Sequence, residues 1–239
     1  MTICARFPGT AEPLGLRLPL DAAGKLGALL PEHGLVVLED AQLDDDAFVG
    51  LARTLGEPTR VGRFRTRASP FVRVQSNVPG LGAVSTGEFW HADGPLEDPP
   101  IRATLLICDE APGSTGATLF VDMREAFARL PGELAERVSG LRGRYSRRLS
   151  HPLVRRHPVS GRRALYLNER WLGGVAGCDA AESRAILAEL YAVATDPAFL
   201  YEHRWRARDL LVWDNAVVMH KGMPAYGGRK VTRRITVRG

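Results

Sequence analysis

Cysteine is scarce. The chain has three, Cys4, Cys108 and Cys178, far apart and never in a CxxC pattern, which excludes a disulfide framework and a zinc knuckle. Aromatic residues make up only 7%, and they do not interleave with basic ones as in a nucleic-acid-binding surface. No window approaches about eighteen uninterrupted apolar residues, so no bilayer span is expected. The amino end, MTICARFPGTAEP, has no apolar run long enough for a signal-peptide core. No short period recurs, which sets repeat architectures aside. What is present, 45% hydrophobic and 25% charged residues in 239, is the composition of an ordinary soluble protein. One domain over residues 1–239 is expected, with 1–70 supplying amino-terminal helix and strand elements packed on the core, in the cytoplasm.

Acidic residues are missing from two short segments that hold the whole positive surplus of +5. Residues 60–73, RVGRFRTRASPFVR, carry five arginines, and residues 229–238, RKVTRRITVR, carry four arginines and a lysine. Elsewhere the chain has 22 basic and 27 acidic residues. Charge confined to two places points to a local anion site rather than to a basic surface for nucleic acid or membrane.

Short apolar runs punctuated by glycine and proline dominate from Phe71 onward. FVRVQSN, RATLLICDE, ATLFVDM, RRALYLN, FLYEHRW, DLLVWDN and VTRRITVR have strand length and strand composition, as does LVVLED nearer the amino end. Helical signals are few: AAGKLGALLPEHG, expected to break at Pro31, DDDAFVGLARTLGEP, REAFARLPGELAERVSGL and DAAESRAILAELYAVATDP. Many strands with few, clustered helices predict a mainly β fold with flanking helices, a sandwich or jelly roll.

There are only six histidines. His91 and Asp93 stand at i and i+2 in HAD, at the end of a probable strand, and on extended backbone such a pair points to one side. His220, closing the run LVWDNAVVMH, is well placed to add a third ligand. Two imidazoles and a carboxylate suit non-haem Fe(II) and leave coordination positions open. His151 and His157 each precede a proline, which favours extended backbone, and a structural role is expected for them, as for His33 and His203. Trp90 reads as packing. Asp214 reads equally as an orienting group or a turn cap.

From Phe89 on, FWHADGPLEDPP, GSTGATLFVDMREAFARLP, HPLVRRHPVSGRRALYLNE and FLYEHRWRARDLLVWDNAVVMH, followed by a basic final strand, occur in an order that resembles the taurine dioxygenase family of Fe(II)/2-oxoglutarate-dependent oxygenases. The resemblance spans about 150 of 239 residues. It implies a double-stranded β-helix, with iron held by His91, Asp93 and His220. Thr118 would supply a hydroxyl to the distal carboxylate of 2-oxoglutarate. The final strand fits the family pattern in two ways. One puts Lys230 at the co-substrate and Arg234 at a substrate anion; the other puts Arg234 at the co-substrate and Arg238 at the substrate. A guanidinium forks onto a carboxylate and an ammonium does not, which favours Arg234 as the anchor, with Lys230 and Arg238 left for the substrate. On a strand Lys230, Arg234 and Arg238 share one face, and Arg229 and Arg233 the other. Asn168 and Trp171 match a segment that borders the family's substrate pocket.

The activity implied is oxidation, most simply hydroxylation, of a small anionic or amino-acid-like molecule by O2, with 2-oxoglutarate released as succinate and CO2. Asp93, where a halogenase would lack a carboxylate, argues against chloride transfer. The alternatives are a zinc-dependent hydrolase, which needs a water and a nearby general base, and a non-catalytic ligand-binding relative, which would more naturally have lost a metal ligand. The partner expected is a small molecule, with no nucleic acid and no membrane; the oligomeric state stays open.

Overall fold

The computed structural model describes residues 2–5, 14–84 and 87–239, so most of the amino-terminal stretch read for a signal-peptide core lies outside the described residues. Its strands are β1 (Thr2–Ala5), β2 (Leu14–Pro19), β3 (Leu35–Glu39), β4 (Glu57–Pro58), β5 (Arg73–Ser76), β6 (Ala103–Glu110), β7 (Thr118–Asp122) and β8 (Arg142–Arg144). There follow β9 (Ser150–Pro152), β10 (Val154–Arg156), β11 (Arg163–Leu165), β12 (Gly174–Val175), β13 (Tyr201–His203), β14 (Leu210–Asp214), β15 (Val218–Gly222) and β16 (Val231–Arg238). The helices are α1 (Leu26–His33), α2 (Asp45–Arg53), α3 (Met123–Ala128), α4 (Gly132–Ser139) and α5 (Ala180–Ala194).

A major sheet runs β1-β2-β3-β14-β6-β16-β4, with β5 also on β16. A minor sheet, β13-β7-β15, opposes it, and two small sheets, β10-β11 and β12-β8-β9, extend the minor side. This is the jelly roll expected from the strand-rich pattern. Alternation of side chains divides the core between the two faces of the major sheet. In β14, Leu211 and Trp213 enter the inter-sheet core with Phe120 and Met219. Leu210 and Val212 enter the outer core with Leu105, Ile107 and Ile235. Phe48 and Ala52 of α2 and Leu26 and Leu30 of α1 cover that outer face.

Helix ends follow the sequence signals. Asp44 caps α2 by accepting from Ala47 N at 2.8 Å, and Asp179 caps α5 by accepting from Ala181 N and Glu182 N, both at 2.8 Å. Two expectations change. The stretch 124–141 is two helices parted at Pro131. α1, by contrast, runs through Pro31 to His33. Its last turn is held by burial of Leu30 and Pro31 and by Arg124, whose Nη1 donates to the carbonyls of Pro31 and Glu32 at 3.0 and 2.8 Å. Those carbonyls have no partner within the helix. Arg124 thereby ties α1 to Asp122 at the end of β7, 2.7 Å from its Nη2.

Candidate active site

His220 does not close the strand of LVWDN. A turn at 214–217 separates β14 from β15, and His220 stands inside β15 opposite Phe120 of β7. The HAD segment is not a regular strand either. His91 forms a single bridge with His220, with N–H to carbonyl distances of 2.9 and 2.8 Å. This pairing sets the two rings 4.2 Å apart, centroid to centroid. Asp93 is held from behind. Its Oδ2 accepts from Thr104 Oγ1 at 2.6 Å, its backbone N donates to Asn215 Oδ1 at 3.0 Å, and Asn215 Nδ2 donates to Thr104 Oγ1 at 3.0 Å. Gly94 follows with φ +61, and a Cβ there would lie 2.3 Å from Ile101 Cγ1, so the turn after Asp93 demands glycine.

One ligand atom from each of His91, Asp93 and His220 lies within 4.8 Å of the others. His91 Nδ1 donates to the Phe89 carbonyl at 2.8 Å, which turns Nε2 toward Asp93, 3.7 Å from its Oδ1. His220 Nε2 is 3.9 Å from Asp93 Oδ2. Burial, His91 and Arg234 outweigh Asp93 and push the His220 imidazole well below its ordinary pKa, which keeps it neutral. Burial alone would raise the Asp93 carboxyl, but Arg234, the two imidazoles and Thr104 outweigh it and hold Asp93 below the usual carboxylate range. A neutral His220 and an ionised Asp93 are in the donor states a divalent cation needs, and the two-imidazole, one-carboxylate set fits Fe(II).

The triad lies in a cavity of about 380 Å³ between the sheets, lined also by Thr118, Trp213, Lys230 and Arg234. Thr118 Oγ1 accepts from Trp205 Nε1 at 3.0 Å. Lys230 Nζ sits 5.3 Å from the centre of the Trp205 ring and donates to the Gly116 carbonyl. Burial brings the Lys230 ammonium down to about 8, with Cys108 acting in the opposite sense. Arg234 turns the other way along the cavity, and its Nη2 lies 2.6 Å from Asp93 Oδ1. Arg233, of opposite parity, crosses to the helix side and meets Asp45 and Asp109, both at 2.9 Å.

Three residues expected at the substrate are not among those lining the cavity. Arg238 shares the parity of Arg234 but lies outside the cavity, with its exposed guanidinium 2.6 Å from Glu97. Asn168 is fully buried and binds backbone only, donating to the Ala92 carbonyl at 3.2 Å and accepting from Arg170 N and Trp171 N. It braces the HAD segment rather than lining the cavity. Trp171 is 40% exposed and packs beside Arg170, away from the cavity. Asp214 accepts from Ala216 N at 2.8 Å and lies 3.0 Å from His157 Nε2, so it caps a turn. Thr104 and Trp205 escaped the sequence reading; each sits in an ordinary strand-like run and gains its role only when the sheets close.

The family model described as "Taurine catabolism dioxygenase TauD, TfdA family" matches residues 9–238. The chain belongs to this family. Among TauD/TfdA relatives, the alpha-ketoglutarate-dependent 2,4-dichlorophenoxyacetate dioxygenase of Cupriavidus pinatubonensis is 31% identical, over 90% of this chain and 88% of that one. The alpha-ketoglutarate-dependent sulfate ester dioxygenase of Pseudomonas putida is 28% identical, over 96% and 86%. The crystal structure of a taurine dioxygenase from Burkholderia xenovorans superposes with a TM-score of 0.83 at 27% identity, covering 98% of this chain and 90% of that one. As a TauD/TfdA protein the chain is an Fe(II)-, 2-oxoglutarate- and O2-dependent dioxygenase, and the hydrolase and ligand-binding alternatives fall away.

Proposed function

We propose that the protein oxidises a small organic anion, with His91, Asp93 and His220 holding iron, Lys230 and Thr118 holding 2-oxoglutarate, and Arg234 meeting the substrate. When bound, iron, O2 and 2-oxoglutarate supply the oxidising power, and the co-substrate leaves as succinate and CO2. The observation that carries the assignment is the separation of the two cations. Lys230 stands beside Trp205, whose indole binds Thr118, while Arg234 stands against the metal-binding carboxylate itself. Of the two fits of the final strand, this supports the one with a lysine anchor, and gives Arg234 to the substrate.

The chain's own part is placement. Thr104 and Asn215 hold Asp93 in one orientation, and the His91–His220 bridge fixes the two imidazoles relative to each other. Trp213, 4.8 Å from the His220 ring, closes the inner wall and keeps water from it. Exposed Val84, Met223 and Tyr226 rim the cavity and offer an apolar edge to the organic part of a substrate. Among the described residues no helix is long and apolar enough to cross a membrane. The three cysteines are free, which supports a place in the cytoplasm. Hydroxylation is the simplest outcome at such a centre. The test is a panel of small carboxylates, sulfonates, sulfate esters and phosphonates, read by substrate-dependent succinate release. Anions should raise the rate above the uncoupled background, and neutral isosteres should not. Equal stimulation by neutral isosteres would overturn the anionic-substrate reading.

A further inference from the structure

The two basic segments meet opposite fates on folding. In residues 229–238 every guanidinium finds a carboxylate: Arg229 pairs with Glu110, Arg233 with Asp45 and Asp109, Arg234 with Asp93, and Arg238 with Glu97. In residues 60–73 no arginine forms an ion pair with any described residue. Three of these, Arg60, Arg63 and Arg73, line a second cavity of about 350 Å³, and the fourth guanidinium in its wall is Arg234. Arg234 also lines the metal cavity, so it stands between the two. The one carboxylate in the second cavity's described lining, Glu97, is already bound to Arg238.

Arg73 and Arg234 are cross-strand partners of β5 and β16, and the Nε of each is buried without a hydrogen-bond partner. Like charges set directly opposite on neighbouring strands destabilise a sheet, and buried donors left unpaired cost more. Both costs are relieved by one oxyanion between them.

We infer that the second cavity is an anion site that receives the charged end of the substrate, and that Arg73 sets the preference for a tetrahedral dianion of the phosphate or phosphonate kind. A planar carboxylate is satisfied by one forked guanidinium. Two orphan Nε donors, with Arg60 and Arg63 on the facing loop, match three oxygens and two charges. This rests on the reading above, in which an organic anion is oxidised at the neighbouring metal centre.

The test is calorimetric titration of inorganic phosphate into the metal-free full chain at low salt, with acetate as the monoanionic control. Phosphate should bind more tightly than acetate by roughly tenfold or more, and Arg73→Gln and Arg63→Gln should each weaken phosphate by roughly tenfold. Both variants, loaded with iron, should keep wild-type affinity for 2-oxoglutarate. Arg63 is exposed, so its variant decides the matter if Arg73→Gln fails to fold. Phosphate binding no tighter than acetate, wild-type phosphate affinity in the Arg63 variant, or a loss of 2-oxoglutarate rather than phosphate affinity would overturn the inference. Failure of the underlying oxygenase assignment looks different: the wild-type protein would then bind phosphate but not 2-oxoglutarate.

Discussion

Arg234 Nη2 lies 2.6 Å from Asp93 Oδ1, so the guanidinium favoured from the sequence as the co-substrate anchor is aimed at the Asp93 carboxylate. Lys230, four residues earlier, faces the Trp205–Thr118 pair. Lys230→Ala should therefore weaken 2-oxoglutarate by far more than Arg234→Ala does. Losing a buried charged partner costs about 2–5 kcal/mol, roughly thirty- to several-thousand-fold in affinity. Arg234→Ala should act mainly on substrate concentration dependence. Titration of 2-oxoglutarate with iron saturating checks this; a larger loss in the Arg234 variant would restore the arginine-anchor alternative.

The Lys230 ammonium, lowered by burial to about 8, makes two opposite pH effects. Below about 8 it is charged and holds a carboxylate, so 2-oxoglutarate affinity should fall as pH rises through that value. In the unfolded chain a lysine keeps its proton to about 10.4. Between the two values the unfolded state binds more protons, so the stability of the unliganded protein should rise with pH through this window. Lys230→Met should abolish both trends, as read by 2-oxoglutarate titration and urea unfolding across pH 7 to about 10. Parallel trends in wild type and variant would show that another group is responsible.

Thr104 and Asn215 bind Asp93 and each other, and Asn215 Oδ1 also accepts from Trp213 Nε1 at 3.2 Å. Thr104→Val keeps the shape and removes the hydroxyl that orients the carboxylate. Iron affinity should drop about 10–100-fold, the range typical of groups that orient a metal ligand, and Thr104→Ser should recover most of it. Competition against a metal-sensitive chelating dye gives the number. Unchanged affinity in the valine variant would remove Thr104 from the account.

Arg124 is 1% exposed at its side chain and shares its charge with Asp122. Arg124→Met strands a buried carboxylate and two carbonyls at the end of α1, which should cost about 3–5 kcal/mol. A denaturant midpoint close to wild type would show that α1 and β7 are joined by packing alone.

Much of this was legible in the residues. Alternation in DLLVWDN and VTRRITVR gave strands of the right parity, which is why Arg233 and Arg234 could be assigned to opposite faces before either partner was known. The HAD pair was legible as residues but not as a strand: a single bridge from His91 to His220 and the bonds of Asp93 to Thr104 and Asn215, not regular strand alternation, set the two side chains. Long-range pairing was not legible. Nothing in RATLLICDE singles out Thr104 from its neighbours, and its value comes from Asn215, 111 residues away. Asn168 looked like a pocket residue because it stands in a pocket-bordering segment; only the packed structure shows its amide turned to the Ala92 carbonyl. The preference for a guanidinium anchor left out the carboxylate of Asp93, which lies 2.6 Å from Arg234 and is invisible from the final strand alone.

In the proposed function His91, Asp93 and His220 hold iron in a cavity that also takes 2-oxoglutarate. The most direct test is anaerobic addition of 2-oxoglutarate to the iron-loaded protein, followed by visible absorbance. Wild type should develop the weak metal-to-ligand charge-transfer band of a chelated 2-oxo acid and a raised melting temperature, and His91→Ala and His220→Ala should show neither. A colourless wild-type mixture with no thermal shift, or a full band in both variants, would contradict the account.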